Sequence, residues 1–402
     1  MSDRTPADPG SGARRQASVL RRLVARATGR ARAAARPGTG ADEPAAEVIA
    51  FPFYPNNPYQ SIIYADLAPT FTLSTPETVT DLLTVLRTDA ASPRILHLNW
   101  TAPIVQFGAE TPDEAHAAAD RFLAGLDAFT RGGGLLVWTV HNTMPHDLRF
   151  REAELRLARG ITARADAIIA MNPDTAALVE PDYPLPAEVT VVQEHPSYRG
   201  VFRDDLTRSQ AREALGVAAD AEVLLLFGTL RPYKGIERFL EDFTLARQSR
   251  PGLVLLVAGE IGPGFDEHGL RRLLDLDGVI AHLSYVPSDE AQRWLRAADV
   301  MMLPYRSALN PSLVYLAATF GLPVLLADLP SLHYLFDEPW VAPVDFSRPI
   351  DLGALLDSFA TDRAVVAPAA AAFARRTDPA IASARFTTLL TNLLAGLSPL
   401  AA

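Results

Sequence analysis

The chain has 402 residues, which is long enough for two α/β domains that each bury a core of their own. Apolar residues make up 49% and charged residues 21% of it, a composition typical of globular proteins in water. There is no cysteine, which excludes disulfides, thiolate nucleophiles and cysteine-bound metals and is consistent with the cytoplasm. No run of about 18 uncharged apolar residues occurs, so we expect no membrane-spanning helix.

The charge is distributed unevenly along the chain. Residues 1–40 contain nine arginines and two aspartates, a net charge of +7, so the remainder carries −17 within the total of −10. Such an acidic body argues against nucleic acid as a partner. Residues 1–46 are rich in Ala, Arg, Gly and Pro, which predicts a disordered basic arm.

Residues 14–30 of this arm contain four apolar residues at helical spacing among arginines, namely Val19, Leu20, Leu23 and Val24. The pattern is consistent with a basic amphipathic helix on an anionic membrane surface. A solvated tail is the alternative. The protein is expected to be cytoplasmic, and the helix, where it forms, predicts that it is peripheral on the inner face of the cell membrane.

From Glu47 onward, short apolar runs alternate with helical patterns, which predicts an α/β class with parallel strands joined by crossover helices. One Rossmann-like domain is expected at 47–200 and a second at 205–375. A last helix within 376–402 is expected to fold back on the first domain. Ligands of such sheets bind at the carboxyl ends of the strands, here expected in a cleft between the domains.

The single lysine, Lys234, lies in a segment that follows a predicted buried strand. The other 36 of the 37 basic residues are arginines. The strand is expected to end at Gly228, where backbone can approach a ligand, and Arg231 and Lys234 follow on the loop. A guanidinium binds two phosphate oxygens and an ammonium acts as a point charge, so the pair predicts a diphosphate site. A solvated basic turn is the alternative.

A second candidate anion site lies where a later strand runs into an apolar helix. Asn310 is predicted as the N-cap and Pro311 as the first helical residue. The N–H groups of Ser312 and Leu313 would then point out of the positive helix end towards an anion. Ordinary capping without a ligand is the alternative. Polar side chains at this site would come from Ser307, Asn310 and Ser312.

These two segments together resemble the C-terminal donor-binding domain of GT-B glycosyltransferases related to family 4 (group 1). Further matching segments, in the same order, are Val257-Ala258-Gly259, Tyr285-Val286-Pro287, 298–304 and Gly321-Leu322-Pro323-Val324. The resemblance covers residues 220–330 well and the N-terminal half more weakly. It implies a nucleotide-sugar donor as co-substrate, without a metal or other cofactor. The diphosphate would meet Arg231 and Lys234, and the nucleoside would lie near Gly259 and Tyr285.

The sequence departs from the family at one pair of positions. Many family 4 members carry two glutamates separated by seven residues, and alignment on Gly321-Leu322-Pro323-Val324 places Ala308 and Leu316 there. Neither side chain can bind sugar hydroxyls, which puts the usual retaining mechanism in question. The pattern resembles a subgroup from bacterial polysaccharide and glycolipid assembly. A catalytically silent nucleotide-sugar-binding scaffold and an epimerase of the same fold are the alternatives.

Three titratable residues, His141, His146 and Asp147, follow a predicted strand of the first domain. A base within hydrogen-bond reach helps an acceptor hydroxyl to attack an anomeric carbon, so the three are candidate catalytic residues. Each histidine alone is more often structural, and the spacing gives only weak support for a metal site.

Aromatic and amide side chains near the first-domain strand ends predict a saccharide acceptor site, by stacking and by bonding hydroxyls. These candidates are Asn56, Asn57, Tyr59, Asn99, Trp100 and His195. A core tryptophan and a capped helix start are the alternative for the first five. His195 enters the linker, where bracing the hinge is the alternative. The sequence thus predicts transfer of a hexosyl or uronosyl group from a nucleotide-diphosphate sugar to a saccharide or lipid-linked saccharide.

Overall fold

The structure, a computed structural model, describes residues 45–358 and 363–401. The predicted basic arm, with its helical pattern at residues 14–30, lies outside the described residues. The described chain divides into two compact units, residues 45–194 with 379–401 and residues 195–378. In these ranges no helix is both long and apolar enough to cross a membrane.

The first unit is built on a six-stranded parallel sheet in the order β2-β1-β3-β4-β5-β6. Its strands are β1 (Ala46–Phe51), β2 (Phe71–Ser74), β3 (Arg94–Leu98), β4 (Leu135–Val140), β5 (Ala167–Ala170) and β6 (Thr190–Val192). Its first six helices are α1 (Pro58–Ile63), α2 (Val79–Arg87), α3 (Ala102–Val105), α4 (Pro112–Arg131), α5 (Arg151–Thr162) and α6 (Thr175–Val179). The central strands are buried apolar runs, as expected where helices cover both faces of a parallel sheet.

The second unit repeats this architecture with a six-stranded parallel sheet in the order β12-β11-β10-β7-β8-β9. Its strands are β7 (Glu222–Phe227), β8 (Leu253–Ala258), β9 (Val279–His282), β10 (Val300–Leu303), β11 (Val324–Ala327) and β12 (Val341–Val344). Its helices are α7 (Arg208–Leu215), α8 (Ile236–Ser249), α9 (Glu267–Leu273), α10 (Ala291–Ala297), α11 (Ser312–Thr319), α12 (Leu352–Ser358) and α13 (Arg363–Arg376). The predicted α/β class with two parallel sheets is confirmed.

The C-terminal helix α14 (Pro379–Leu394) returns to the first unit after the chain has completed the second. The Ser383 hydroxyl accepts a hydrogen bond from the Asp66 N–H at 2.9 Å. The Gln193 amide donates to the Ala382 carbonyl at 3.0 Å. Phe386 is fully buried, with its ring 5.7 Å from that of Tyr64. The helix therefore completes the core of the first unit.

The boundary between the units lies at Glu194, before the predicted domain limit at residue 200. The Ser197 N–H donates to the Thr377 carbonyl at 2.7 Å, and its hydroxyl donates to the Ala374 carbonyl at 2.7 Å. These buried bonds attach the segment after Glu194 to the second unit.

Candidate functional site

The carboxyl ends of β7 and β8 meet at two glycines of the second unit. Gly228 has φ +80°, and its N–H donates to the Ala258 carbonyl at 2.8 Å. A Cβ built on Gly259 would lie 2.2 Å from the Gly228 carbonyl oxygen, which leaves no room for a side chain. Neither glycine therefore places a side chain of its own at this part of the sheet edge, where a ligand can approach the backbone closely.

The ammonium of Lys234 lies directly over Gly228. Its Nζ donates to the Phe227 carbonyl at 3.1 Å. A Cβ built on Gly228 would lie 3.4 Å from this Nζ and 3.8 Å from the Cδ atoms of Leu313, the second residue of α11. The single lysine and the first turn of α11 thus both lie against Gly228, as the diphosphate hypothesis requires.

Burial lowers the pKa of Lys234, the neighbouring positive charge of Arg231 adds a smaller effect in the same direction, and together they bring this pKa to about 7. The same Arg231 charge lowers the pKa of Tyr233, although burial raises that pKa by more. Two cations held close together repel each other, and an anionic ligand would relieve the repulsion.

The loop that carries Lys234 is fixed to the loop after β10. The Arg306 N–H donates to the Tyr233 carbonyl at 2.7 Å. Gly235 has φ +69°, and a Cβ on it would lie 2.1 Å from the Pro304 carbonyl oxygen. The two loops therefore pack backbone against backbone, and this contact requires glycine at residue 235.

We expect Gly235→Ala to lower the free energy of unfolding by about 2–3 kcal/mol, because the methyl group must push the Pro304 backbone away and the positive φ is strained. Gly252→Ala is the matched control in the same unit, since its Cβ would have no atom within 4 Å. The control should change the free energy by no more than about 0.5 kcal/mol. Urea denaturation measures both, and equal effects would contradict the backbone contact.

The opening of α11 differs from the predicted one. The prediction that Asn310 caps the helix is wrong, because Pro311 occupies the N-cap position with ψ 84° and the helix begins at Ser312. The Ser312 N–H donates to the Asn310 carbonyl at 3.0 Å in a tight turn, so it does not point out of the helix. The Cδ atoms of Leu313 lie beside Gly228, and the anion-binding role of the Leu313 N–H stays a prediction.

A buried aromatic cluster braces α11 from within the second unit. The Tyr198 N–H donates to the Thr319 hydroxyl at 2.9 Å, and its phenol hydrogen-bonds to the Ser312 side chain. The His195 ring lies 5.0 Å from that of Tyr315, and burial lowers the pKa of His195 to about 4. The structure therefore assigns His195 to the second unit and not to the first, which favours its bracing role.

Three further polar residues lie at strand ends of this unit. Tyr285, which follows β9, is 46% exposed, and Ser307 is exposed after β10. Glu260 directly follows Gly259, and its carboxylate accepts from the Thr229 hydroxyl at 3.3 Å. Sequence reasoning missed Glu260, although its place one residue after the strand-end glycine was a usable signal.

The first unit brings four of the predicted residues together at the ends of β3 and β4. The Trp100 and His141 rings stack at 4.1 Å with an interplanar angle of 19°. The Tyr59 ring meets the His141 ring edge-on at 5.0 Å. The His141 Nε2 lies 3.4 Å from the Asn99 Oδ1. Tyr54, which is 41% exposed, extends this surface, with its ring 5.4 Å from that of Trp100.

The remaining predicted residues of the first unit are more peripheral. Asn57 caps α1, accepting from the Tyr59 N–H at 3.0 Å, which is the capping role left open as the alternative. Asn56, His146 and Asp147 are exposed on loops at this edge. A buried polar network of Tyr64, His97 and Thr139 lies behind Asn99, and sequence reasoning did not assign it.

Comparison with known proteins identifies the second unit. Residues 221–345 match the model of the family described as "Glycosyl transferases group 1". This segment is similar to group 1 glycosyltransferases, and it is named the group 1 domain for that similarity. The match includes the glycine pair, Lys234 and α11.

Two curated relatives are similar over a larger part of the chain. The D-inositol 3-phosphate glycosyltransferase of Arthrobacter sp. (strain FB24) is 27% identical over 259 residues, 60% of each chain. The GDP-mannose:glycolipid 4-beta-D-mannosyltransferase of Xanthomonas campestris pv. campestris is 29% identical over 247 residues, 61% of this chain and 64% of the relative. The match therefore spans less than two thirds of either relative.

A solved structure, Anabaena Alr3699/HepE in complex with UDP, superposes with a TM-score of 0.63 at 15% identity. The superposition covers 86% of this chain and 99% of that one. At this identity the likeness concerns the fold, and the chain has the GT-B fold predicted from its sequence.

The group 1 domain lacks the two carboxylates that many family 4 members carry. Leu316 is 2% exposed within α11, where it packs in the core. The Ala308 carbonyl accepts from the Ser331 hydroxyl at 2.5 Å, which fixes the loop before α11. Neither position supplies a charged or polar side chain to the edge of the sheet.

The lowered pKa of Lys234 predicts a pH dependence for the group 1 domain. Affinity for a nucleotide sugar should be highest below pH 7 and should fall as the pH rises through the pKa of about 7, because Lys234 then loses its charge. The bound diphosphate favours the charged form of Lys234, so the pKa of Lys234 is higher in the complex than in the free protein. Calorimetric titration measures it, and the Lys234→Arg variant, whose guanidinium does not titrate there, is the control. A native profile as flat as that of the variant would contradict the assignment.

Proposed function

We propose that this protein is a glycosyltransferase that moves a hexosyl or uronosyl group from a nucleotide-diphosphate sugar to a saccharide or lipid-linked saccharide. The observation that carries the proposal is the position of the Lys234 ammonium over Gly228, beside Leu313 in the first turn of α11. The names of the relatives support it, since one acts on GDP-mannose and a glycolipid and a neighbour of the same fold binds UDP.

The donor half of the reaction is assigned to the second unit. Arg231, Lys234 and the first turn of α11 would stabilise the charge that develops on the departing nucleoside diphosphate. Such fixed charges do the work of a metal ion, so we expect no metal to be needed. Glu260 would bind a ribose hydroxyl, the role that an acidic residue at a strand end has in related nucleotide-binding sheets.

The acceptor half is assigned to the first unit. The ring surface of Tyr54, Trp100 and His141 would stack on a sugar, because aromatic faces match the apolar faces of pyranose rings. His141, with His146 and Asp147 on the following loop, would supply the base that removes the acceptor proton. A direct displacement of this kind inverts the anomeric carbon, which fits a site without the two glutamates.

A catalytically silent nucleotide-sugar-binding protein is the second candidate, and the apolar residues Ala308 and Leu316 are the observation that favours it. The full chain should be incubated with GDP-mannose, UDP-glucose or UDP-glucuronic acid, with and without a polyprenyl-linked saccharide, and the released nucleoside diphosphate measured. Release that requires the acceptor supports transfer. Binding without release would favour the silent protein, and conversion of the donor sugar without acceptor would favour an epimerase.

The basic arm is assigned to the anionic surface of a membrane, where a lipid-linked acceptor would lie. We expect that deletion of residues 1–44 reduces co-sedimentation with vesicles containing phosphatidylglycerol but leaves activity on a soluble acceptor intact. Vesicles of phosphatidylcholine alone are the control. An unchanged bound fraction on the anionic vesicles would refute the role of the arm.

A further inference from the structure

The His141 ring of the first unit is held by a side chain that is itself buried. Asn99 follows β3 and is 1% exposed. Its Nδ2 donates to the Tyr64 hydroxyl at 3.0 Å, and its Oδ1 faces the His141 Nε2 at 3.4 Å. One amide therefore connects a buried network to a ring at the exposed edge of the sheet.

The network behind Asn99 gives each hydrogen bond a direction. The Gln60 Oε1 accepts from the Tyr54 N–H at 2.7 Å and its Nε2 donates to the Pro52 carbonyl at 2.7 Å, so backbone groups settle the orientation of this amide. Gln60 also hydrogen-bonds to the Tyr64 phenol. The phenol oxygen thus accepts from two amides, Gln60 and Asn99, and its proton goes to the His97 Nδ1 at 2.7 Å.

His97 fits this direction because it is a neutral imidazole. Burial lowers the pKa of His97 to about 3. A neutral imidazole accepts at one nitrogen and donates at the other. Its Nδ1 accepts from Tyr64, so its Nε2 donates to the Thr139 hydroxyl at 2.8 Å. Phe386 closes this side of the network, with its ring 4.7 Å from that of His97.

Two neighbouring aromatic rings pack against the ring of His141. Trp100 stacks on one face and the Tyr59 edge contacts the ring from another direction. The phenol of Tyr59 is a titratable group against His141, and burial raises its pKa, so it stays neutral. Asn99, which presents its carbonyl oxygen, therefore selects the nitrogen of His141 that carries a proton.

We propose that Asn99 is a positioning residue that holds neutral His141 as the Nε2–H tautomer, with Nδ1 as its proton-accepting nitrogen. In the proposed transfer, the O–H bond of the acceptor breaks and its proton goes to the His141 Nδ1. The oxygen electron pair forms the new bond to the anomeric carbon, and the carbon–oxygen bond to the diphosphate breaks with its electrons on the diphosphate. The proton transfer to His141 rests on the proposed function. The tautomer rests only on the contacts within the first unit.

The tautomer is measured on the unsubstituted protein, labelled with ¹⁵N in its eight histidines, without any substrate. The ¹⁵N shifts of His141 at a pH above its pKa should show a protonated Nε2 and an unprotonated Nδ1. The spectrum of His141→Gln assigns the signals. A protonated Nδ1 would overturn the proposal whether or not the protein transfers sugar.

Substitution of Asn99 tests the contact itself. Asn99→Asp places a carboxylate against the Nε2–H and should raise the pKa of His141 by about one unit or more, whereas Asn99→Leu should not raise it. The exposed His268 is the control, and its ¹⁵N signals should be the same in all three proteins. An unchanged His141 pKa in Asn99→Asp would overturn the proposal.

Kinetics then separates positioning from folding. Asn99→Leu should lower kcat by about 10- to 100-fold and leave the KM for the donor unchanged, because the donor binds to the other unit. A parallel loss of kcat and thermal stability, with the Nε2–H tautomer retained, would assign Asn99 a structural role only. Absence of transfer in the native protein, with the expected tautomer, would overturn the proposed function and leave the positioning role standing.

Discussion

Lys234→Ala is expected to lower kcat/KM by about 10²- to 10³-fold, the typical cost of removing one fixed donor from a developing oxyanion. The ammonium lies over Gly228 beside Leu313, where it would contact the diphosphate. The variant should also bind a nucleoside diphosphate more weakly by at least about tenfold, while its affinity for the nucleoside stays unchanged. Initial rates and calorimetric titrations with the two ligands measure these effects.

Two variants control for this loss. Arg156→Ala removes an exposed cation of the first unit, which pairs with Asp120 at the surface, and should leave activity unchanged. Lys234→Arg keeps the charge but replaces a compact ammonium with a planar guanidinium, so kcat/KM should fall about tenfold. Full activity in Lys234→Arg would show that retention of a lysine here has no functional meaning. Unchanged nucleotide affinity in Lys234→Ala would contradict the diphosphate assignment.

His141→Ala is expected to have the second largest effect, lowering kcat by about 10²-fold or more through loss of the base. The KM for the donor should change little, because the group 1 domain, to which donor binding is assigned in our proposal, is left intact. His141→Phe keeps a ring that can stack on Trp100 but has no nitrogen, so it should be as inactive as His141→Ala. A wild-type kcat in His141→Phe would show that His141 contributes only by stacking. His268→Ala is the surface control.

The sequence predicted the central strands well because each is a continuous apolar run. Residues 253–258 and 300–303 are apolar throughout, and they form β8 and β10 in the structure. The edge strand β2 has no such signal, since its four residues Phe-Thr-Leu-Ser contain only two apolar side chains. Apolar periodicity therefore identifies buried strands, whereas edge strands depend on pairing that the local sequence does not encode.

The candidate donor site was predictable because its residues lie close together in sequence. Gly228, Arg231 and Lys234 fall on one loop at the end of one strand, and the parallel sheet determines which edge they share. The opening of α11 was predicted one residue too early, because Asn310 and Pro311 form a good capping pair locally. The tight turn that moves the cap to Pro311 arises from the conformation of the whole loop.

The network behind His141 was not predictable in the same way. Tyr64 and His97 are 33 residues apart, and His97 and Thr139 are 42 apart, yet each pair shares a short buried hydrogen bond. Their contact depends on the register between β3 and β4 and on the packing of α14 over them. Sequence patterns fix the direction of each strand but not which polar side chains meet within the core.

The central claim is that Lys234 and the first turn of α11 bind one diphosphate, and a crystal structure with UDP or GDP bound tests it most directly. The account predicts a phosphate oxygen within about 3 Å of the Lys234 Nζ, with the same diphosphate in contact with the Leu313 N–H. A nucleotide whose diphosphate binds elsewhere, with the Lys234 Nζ still bonded only to the Phe227 carbonyl, would contradict it.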